Sequence, residues 1–380
     1  METLHFYKMH GLGNDFVIFD QRSEKRTFSK EDILNICDRN KGIGCDQLII
    51  INRNNENEEL IEFYNSSGEG YMLTRDSFRG PWAGLPVAWN SEDVLDEKRY
   101  RRAIASSCFA AVPGVYSGGT TGEFYAMEWE EFQTISHVTV EECKRHNVPV
   151  MIGCTSTYTR GVIRRIEWAR HLGADAVQVA LPYWMEIGEP QILPFFSEIG
   201  KAAGDMAISI YETTRAKRVL SLDEHARIHE ILPRYIMVKA NAGTIGATPE
   251  GCAALSDFVN VFVGEGLWAS LRPSGVAGCC SSAVYWNPRV VLDYWSMIEK
   301  NDTTGIAYWS ECFDRLFQYL DDEFEPLGLT DTAYDRLGGV ATGFLEMELH
   351  SRGPYPSATE SETEKLRDWL QAHFPEMLEL

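Results

Sequence analysis

Two hydrophobic rhythms divide the chain. Over its front, "LHFYKMHG" and "NDFVIFD" read as strands on either side of a Gly turn, and "SKEDILNICDR" reads as a helix capped at Ser29. "DQLIIINR" predicts a further strand, and beyond the polar turn "NRNNENEE" the run "LIEFYN" predicts another. This stretch ends in the Ser/Gly cluster "SSGEG", a natural boundary.

From about residue 79 short apolar runs alternate with longer amphipathic stretches. Eight runs predict strands: residues 84–89, 112–119, 149–154, 175–180, 207–211, 235–239, 259–264 and 275–280. Segments between them, such as "EEFQTISHVTVEECKRHN" and "TRGVIRRIEWARHLGA", have helical spacing. Near-continuous apolar strands followed by helices pair in parallel and are buried on both faces. Eight such units favour a closed (β/α)8 TIM barrel over an open sheet. Past residue 290 strand character fades while helical spacing continues. The expected architecture is α/β: a small α+β segment over residues 1–74, the barrel over 75–295 and a helical region over 296–380.

At 380 residues, with 44 % hydrophobic content, 18 Phe, 16 Tyr and 10 Trp, core material is ample for two domains or one barrel with additions. The formal charge of −21 argues against nucleic acid or an anionic membrane surface as a partner. Nine cysteines include no CxxC pair and no Cys/His cluster at ligand spacing, so no metal site is expected. Cys154 and Cys279 lie in apolar runs and read as reduced core thiols. No apolar stretch reaches the ~18–20 residues of a membrane span, and "METLHFYKMH" has no signal-peptide core. A soluble, cytoplasmic protein is expected.

In a barrel, chemistry gathers at the C-terminal ends of the strands. The second run leads into "GGTTGE" (118–123), the fifth ends in Tyr211, and the sixth, "YIMVK", ends in Lys239. An ammonium is costly to bury, so a lone Lys there ordinarily emerges into solvent or pairs with a carboxylate. The other reading is a Schiff-base lysine, its pKa lowered by desolvation so that the free amine attacks a ketone. Tyr211 by itself reads as core or as a hydrogen-bond cap. Joint placement of all three at strand ends shifts the weight towards chemistry. "GGTTGE" lacks the Lys and the spacing of a P-loop.

"GTTGE" (119–123), the Tyr in "ISIYETTR" and the Lys in "MVKANAG" carry a resemblance. Through them residues 79 to about 370 resemble the dihydrodipicolinate synthase / N-acetylneuraminate lyase family of class I aldolases. The resemblance implies that Lys239 condenses with the carbonyl of pyruvate or a related 2-oxo acid. It implies that Thr120 and Thr121, with Gly119 beside them, hold the carboxylate, and that Tyr211 relays protons. A covalent imine on Lys239 then stands in place of any cofactor. An iminium is an electron sink that acidifies C3, and the enamine attacks an aldehyde or is left by its release.

Two positions depart from the lysine-pathway synthase of that family. Its strand-four motif has two adjacent tyrosines, where this chain has Tyr183 and Trp184. An indole cannot shuttle a proton as a phenol does. Its aldehyde-binding Arg falls at Ala216, with Arg215 and Arg218 nearby, each either a substrate contact or a solvated loop charge. A bulky Trp184 and the absence of an Arg at position 216 suit a different second substrate, a less polar or aromatic aldehyde.

"KMHGLGNDF", "GIGCDQ" and "EFYNSSGE" resemble, in order, the first part of diaminopimelate epimerase, which implies substrate-binding positions Asn14, Gln47 and Asn65. Cofactor-free epimerisation needs two thiols on opposite faces of the α-carbon. The motifs that carry them in that family do not appear, and Cys37 and Cys45 read as structural. The front is therefore expected to be a vestigial binding segment.

Taken together, the chain is expected to be a Schiff-base lyase or aldolase joining or cleaving a 2-oxo acid and an aldehyde. The alternative is 4-hydroxy-tetrahydrodipicolinate synthase of lysine and diaminopimelate synthesis. A reading of another class is a non-catalytic, ligand-binding or regulatory fusion. The family habit of pairing subunits around the strand-four loop implies a homodimer or homotetramer.

Overall fold

The computed structural model describes residues 5–11, 14–23, 26, 28–53, 59–65, 72–281 and 283–380. They form two compact units, Met1–Met72 and Leu73–Leu380.

In the first unit β1 (Tyr7–Gly11), β2 (Asn14–Asp20), β3 (Gln47–Arg53) and β4 (Glu59–Asn65) lie side by side in that order. The β2–β3 pair is parallel, and the helix Lys30–Cys37 makes its crossover. Ser29 caps that helix: its Oγ accepts from Asp32 N at 3.1 Å, and Asp32 Oδ2 accepts from Ser29 N at 2.9 Å. Alternation turns Val17, Phe19, Leu48 and Ile50 to one face, where Ile33, Cys37 and Cys45 close a small core. The sulfurs of Cys37 and Cys45 lie 3.5 Å apart, and burial pushes the Cys37 thiol up to about 12. The two glycine motifs of this unit hold each other. Lys8 Nζ donates to Gly44 O at 2.8 Å, and Arg39 bridges Asp15 and Asp46 at 2.7 Å each.

The second unit is a closed barrel of eight parallel strands in sequence order. They are β5 (Gly80–Gly84), β6 (Val115–Ser117), β7 (Val150–Gly153), β8 (Ala176–Val179), β9 (Ala207–Glu212), β10 (Tyr235–Ala240), β11 (Asn260–Phe262) and β12 (Gly278–Ser281). Inward side chains form one core that includes Trp82, Tyr116, Met151, Met237 and Phe262, and Phe78 plugs its base 4.3 Å from the Trp82 ring. A second, larger core lies between the barrel wall and the surrounding helices.

The first barrel strand lies N-terminal to the run 84–89 expected for it. Leu85, Val87, Ala88 and Trp89 are as buried as any strand. They follow the strand's end, however, and Arg336 rather than a neighbouring strand takes the Val87 carbonyl, at 2.7 Å. Apolarity marked the burial and not its cause.

The C-terminal helices Pro288–Lys300, Thr303–Phe324, Asp331–Thr342 and Glu360–His373 belong to the same compact unit as the barrel, and the first of them spans the expected 295/296 division. Among the described residues no helix is long and apolar enough to cross a membrane.

Candidate active site

Strand alternation decides what faces the open end of the barrel. Along β9, Ala207 points inward and Ser209 does too, bonding to Gln178 at 2.8 Å and Met237 at 3.1 Å, so Tyr211 follows on the same face. Glu212 turns outward and accepts from Leu220 N at 3.1 Å. On β10 a register shift between Tyr235 and Met237 sends Tyr235 out to His225, at 2.8 Å, and Met237 in. Lys239, two residues on, therefore faces inward beside Tyr211, its direct partner in the register.

Lys239 Nζ stands 4.5 Å from the centroid of the Tyr211 ring. Asn241 Nδ2 donates to the Tyr211 hydroxyl at 3.0 Å, fixing the phenol from the other side. Burial disfavours the Lys239 ammonium, but Tyr211, Cys280, Asp331 and Asp335 oppose it and prevail. The amine thus stands above the ordinary lysine value, not below it as desolvation alone predicts. Cys280 is itself pushed up to about 12 by burial.

The loop after β6 needs its glycines. Gly118 has φ +75°, and a Cβ on Gly119 would meet the Tyr116 hydroxyl at 2.4 Å. Thr332 Oγ1 donates to the carbonyls of Thr120 (2.9 Å) and Thr121 (3.1 Å), so the loop's C=O groups are turned to the helix Asp331–Thr342. Glu123, in the left-handed region at φ 54°, ends the loop. Its carboxylate pairs with Arg336, both side chains being 0 % exposed, and accepts from Arg352 N at 3.2 Å.

Above Tyr211 and Thr120 opens a cavity of about 430 Å³. Phe124, Tyr125, Tyr183 and Tyr355 line it. They meet edge to face, Phe124 on Tyr183 at 5.9 Å and Tyr125 on Tyr355 at 5.1 Å. Arg215 also lines it, held by Asp331 through two bonds of 2.8 Å. Trp184 does not: its side chain is 72 % exposed and its carbonyl accepts from Lys217 at 2.6 Å. Strand β8 has ended by then, so chain direction rather than alternation aims residues 183 and 184, and it is Tyr183 that turns inward. Arg218 turns to Glu224 as a structural charge.

Thr332, Asp331 and Arg336 carry no motif and were not singled out in the sequence. Their one signal is polar side chains at i, i+1, i+4 and i+5 on an otherwise buried helix, "DTAYDRLGGVAT". In the first unit the backbone register places Asn14, Gln47 and Asn65 at one end of the sheet. The side chains of Asn14 and Asn65 lie outside the described part of the structure. Among the described residues no cluster of His, Cys, Asp or Glu could hold a metal ion.

A sequence model of the dihydrodipicolinate synthetase family matches residues 77–373. The trans-O-hydroxybenzylidenepyruvate hydratase-aldolase of Pseudomonas putida is 30 % identical over 151 residues, 38 % of this chain and 45 % of that protein. The match thus spans less than half of the hydratase-aldolase's length. The 4-hydroxy-tetrahydrodipicolinate synthase of Rhodopseudomonas palustris is 27 % identical over 261 residues, 68 % of this chain and 86 % of its own. At the front, the diaminopimelate epimerase of Pelagibacter ubique is 56 % identical over 62 residues, 16 % of this chain and 22 % of its own. Among solved structures, a prophage protein of the dihydrodipicolinic acid synthase family from E. coli K12, in complex with pyruvate, superposes with TM-score 0.71. It shares 19 % identity and covers 78 % of this chain and 98 % of its own. At that identity the likeness speaks for the fold alone.

Proposed function

The chain belongs to the dihydrodipicolinate synthetase family, and from that premise we propose that residues 73–380 are a class I aldolase or lyase acting on a 2-oxo acid and an aldehyde. The observation that carries the reading is an inward lysine with a phenol against it, Lys239 Nζ 4.5 Å from the Tyr211 ring, at the end of the barrel where the Thr120–Thr121 loop opens.

In this reading Lys239 first gives up to solvent the proton that its neighbours favour, and the free amine attacks C2 of the 2-oxo acid. The carbinolamine loses water, its oxygen protonated by the Tyr211 hydroxyl, and an iminium remains. Tyr211, now the base, takes a proton from C3 to give the enamine. The enamine's C3 bonds to the aldehyde carbon, and the aldehyde oxygen takes the proton back. Water then adds to the iminium and releases a 4-hydroxy-2-oxo acid and the free amine; cleavage runs the same steps backwards. The hydroxyls and backbone N–H groups of Thr120 and Thr121 hold the carboxylate throughout, their carbonyls being engaged by Thr332.

For the aldehyde, the five aromatic rings of the cavity favour a flat, apolar partner, and 430 Å³ accommodates a single aromatic ring with its side chain. Synthesis of 4-hydroxy-tetrahydrodipicolinate is the alternative, favoured by the epimerase-like first unit. Borohydride reduction with pyruvate should add one reduced adduct to the peptide holding Lys239. No adduct, or one that persists in Lys239→Ala, would falsify the aldolase reading. Turnover of aspartate semialdehyde against benzaldehyde separates the two acceptors.

A further inference from the structure

Among the described residues lining the cavity, two carry charge: Arg215, from the loop after β9, and Asp331, at the start of the helix Asp331–Thr342. Each is spent on the other. Nη1 donates to Oδ2 and Nη2 to Oδ1, both at 2.8 Å, the bidentate geometry that a guanidinium offers any carboxylate. The two side chains are 57 % and 43 % exposed. A pair so open adds little to stability, so holding the fold does not explain why it stands at this place. Asp331 also lies in the first helical turn, where the unpaired amide N–H groups carry a positive potential that its carboxylate offsets. The rest of the lining is aromatic, aliphatic or hydroxyl-bearing. The mouth is consequently neutral, although it contains the group best suited to bind an anion.

We propose that Asp331 is a specificity-determining residue: by occupying Arg215 it keeps the acceptor site neutral and selects aldehydes that carry no carboxylate. The proposal rests on the aldolase reading and adds to it the residue that sets the acceptor's charge. Selection works by subtraction. An acceptor carboxylate gives up its hydration on entering, finds the only guanidinium of the cavity's described lining already taken, and meets a like charge beside it. An uncharged ring loses nothing by the same arrangement. Removing the Asp331 charge leaves Arg215 and the helix start facing the cavity together, and an acceptor carboxylate then gains a charge-assisted, two-bond partner.

The test compares kcat/KM for 4-carboxybenzaldehyde with that for benzaldehyde, pyruvate being the second substrate, in the full chain and in D331N, D331A and R215Q/D331N. Two Asp331 replacements guard against one that folds poorly. The ratio is expected to rise at least about tenfold in D331N and D331A, as one uncompensated charge a few ångströms away permits. It should fall back in R215Q/D331N, and added salt should erode the gain. Benzoate should also inhibit D331N more tightly than it inhibits the unaltered protein, while benzamide should not. An unchanged ratio in both single variants, or an equal gain without Arg215, refutes the assignment, as does an unaltered protein that uses the two aldehydes equally well. Failure of borohydride trapping in the unaltered protein is a separate outcome, which removes the aldolase reading and this assignment with it.

Discussion

Arg336→Met is the substitution whose cost the structure specifies best. Three acceptors lose their donor together: the Glu123 carboxylate, the Val87 carbonyl (2.7 Å) and the Ser351 hydroxyl (3.2 Å). The carboxylate dominates, because Glu123 is completely buried and breaking such a pair from one side costs about 3–5 kcal/mol. The Val87 carbonyl keeps the bond from Trp89 N at 3.1 Å but loses its second donor, which adds roughly 1 kcal/mol. The sum, about 4–6 kcal/mol, is a large share of the ~5–15 kcal/mol that holds a domain folded. In R336M/E123Q no charge is left buried, and the glutamine oxygen still accepts from Arg352 N, now 3.2 Å from the carboxylate. About 2–3 kcal/mol should therefore return relative to the single variant. Urea unfolding followed by tryptophan fluorescence measures both, provided the slope with denaturant stays constant. A single variant that costs less than about 1 kcal/mol, or a double variant no more stable than R336M, refutes the argument that a buried charge is what Arg336 neutralises. Because Glu123 anchors the loop holding Thr120 and Thr121, R336M should also weaken pyruvate trapping at concentrations that saturate the unaltered protein.

Three further outcomes are expected. Thr332→Val removes both bonds to the Thr120 and Thr121 carbonyls, which should raise KM for the 2-oxo acid about tenfold with a smaller change in kcat, and Thr332→Ser should restore it. An equal loss in kcat and none in KM would assign Thr332 another role. Tyr211→Phe keeps the ring against Lys239 but removes the hydroxyl that Asn241 holds, so turnover should fall about 10²–10⁴-fold while slow trapping at Lys239 survives. Undiminished turnover would exclude Tyr211 as the proton relay. Asp175, half-buried just before β8 and accepting from Val150 N, has its carboxyl raised to about 6 by desolvation. Between about pH 4 and 6 the folded state keeps a proton that the unfolded chain has shed, so stability falls as pH rises through that window. Allowing for the part of the residue that solvent reaches, the group accounts for about 2 kcal/mol. Asp175→Asn should flatten the curve of unfolding free energy against pH there, and superimposable curves would show that Asp175 does not titrate in that range.

The parts legible along the chain are those set by neighbours in sequence. Period-two and near-continuous apolar runs located the barrel strands, and Ser29 followed by Asp32 marked a helix start by a capping interaction confined to four residues. Lys239 and Tyr211 were visible because each ends an apolar strand, a place where such a side chain is unexpected. The run 84–89 misled for the converse reason: burial under a distant helix and burial in a strand leave the same apolar signature.

What only the folded chain decided lies across long separations. Arg336 meets Glu123 over 213 residues, Thr332 meets Thr120 over 212, and Asp331 meets Arg215 over 116. No local pattern encodes these meetings, because nothing in either residue's own stretch of chain specifies which distant segment will lie against it. The charge state of Lys239 is of the same kind. Burial alone would lower it, and it is raised because β9, β12 and the helix Asp331–Thr342 bring Tyr211, Cys280, Asp331 and Asp335 around one amine. A sequence states which groups are present; electrostatics acts through distance, and only tertiary structure sets the distances between residues far apart in the chain.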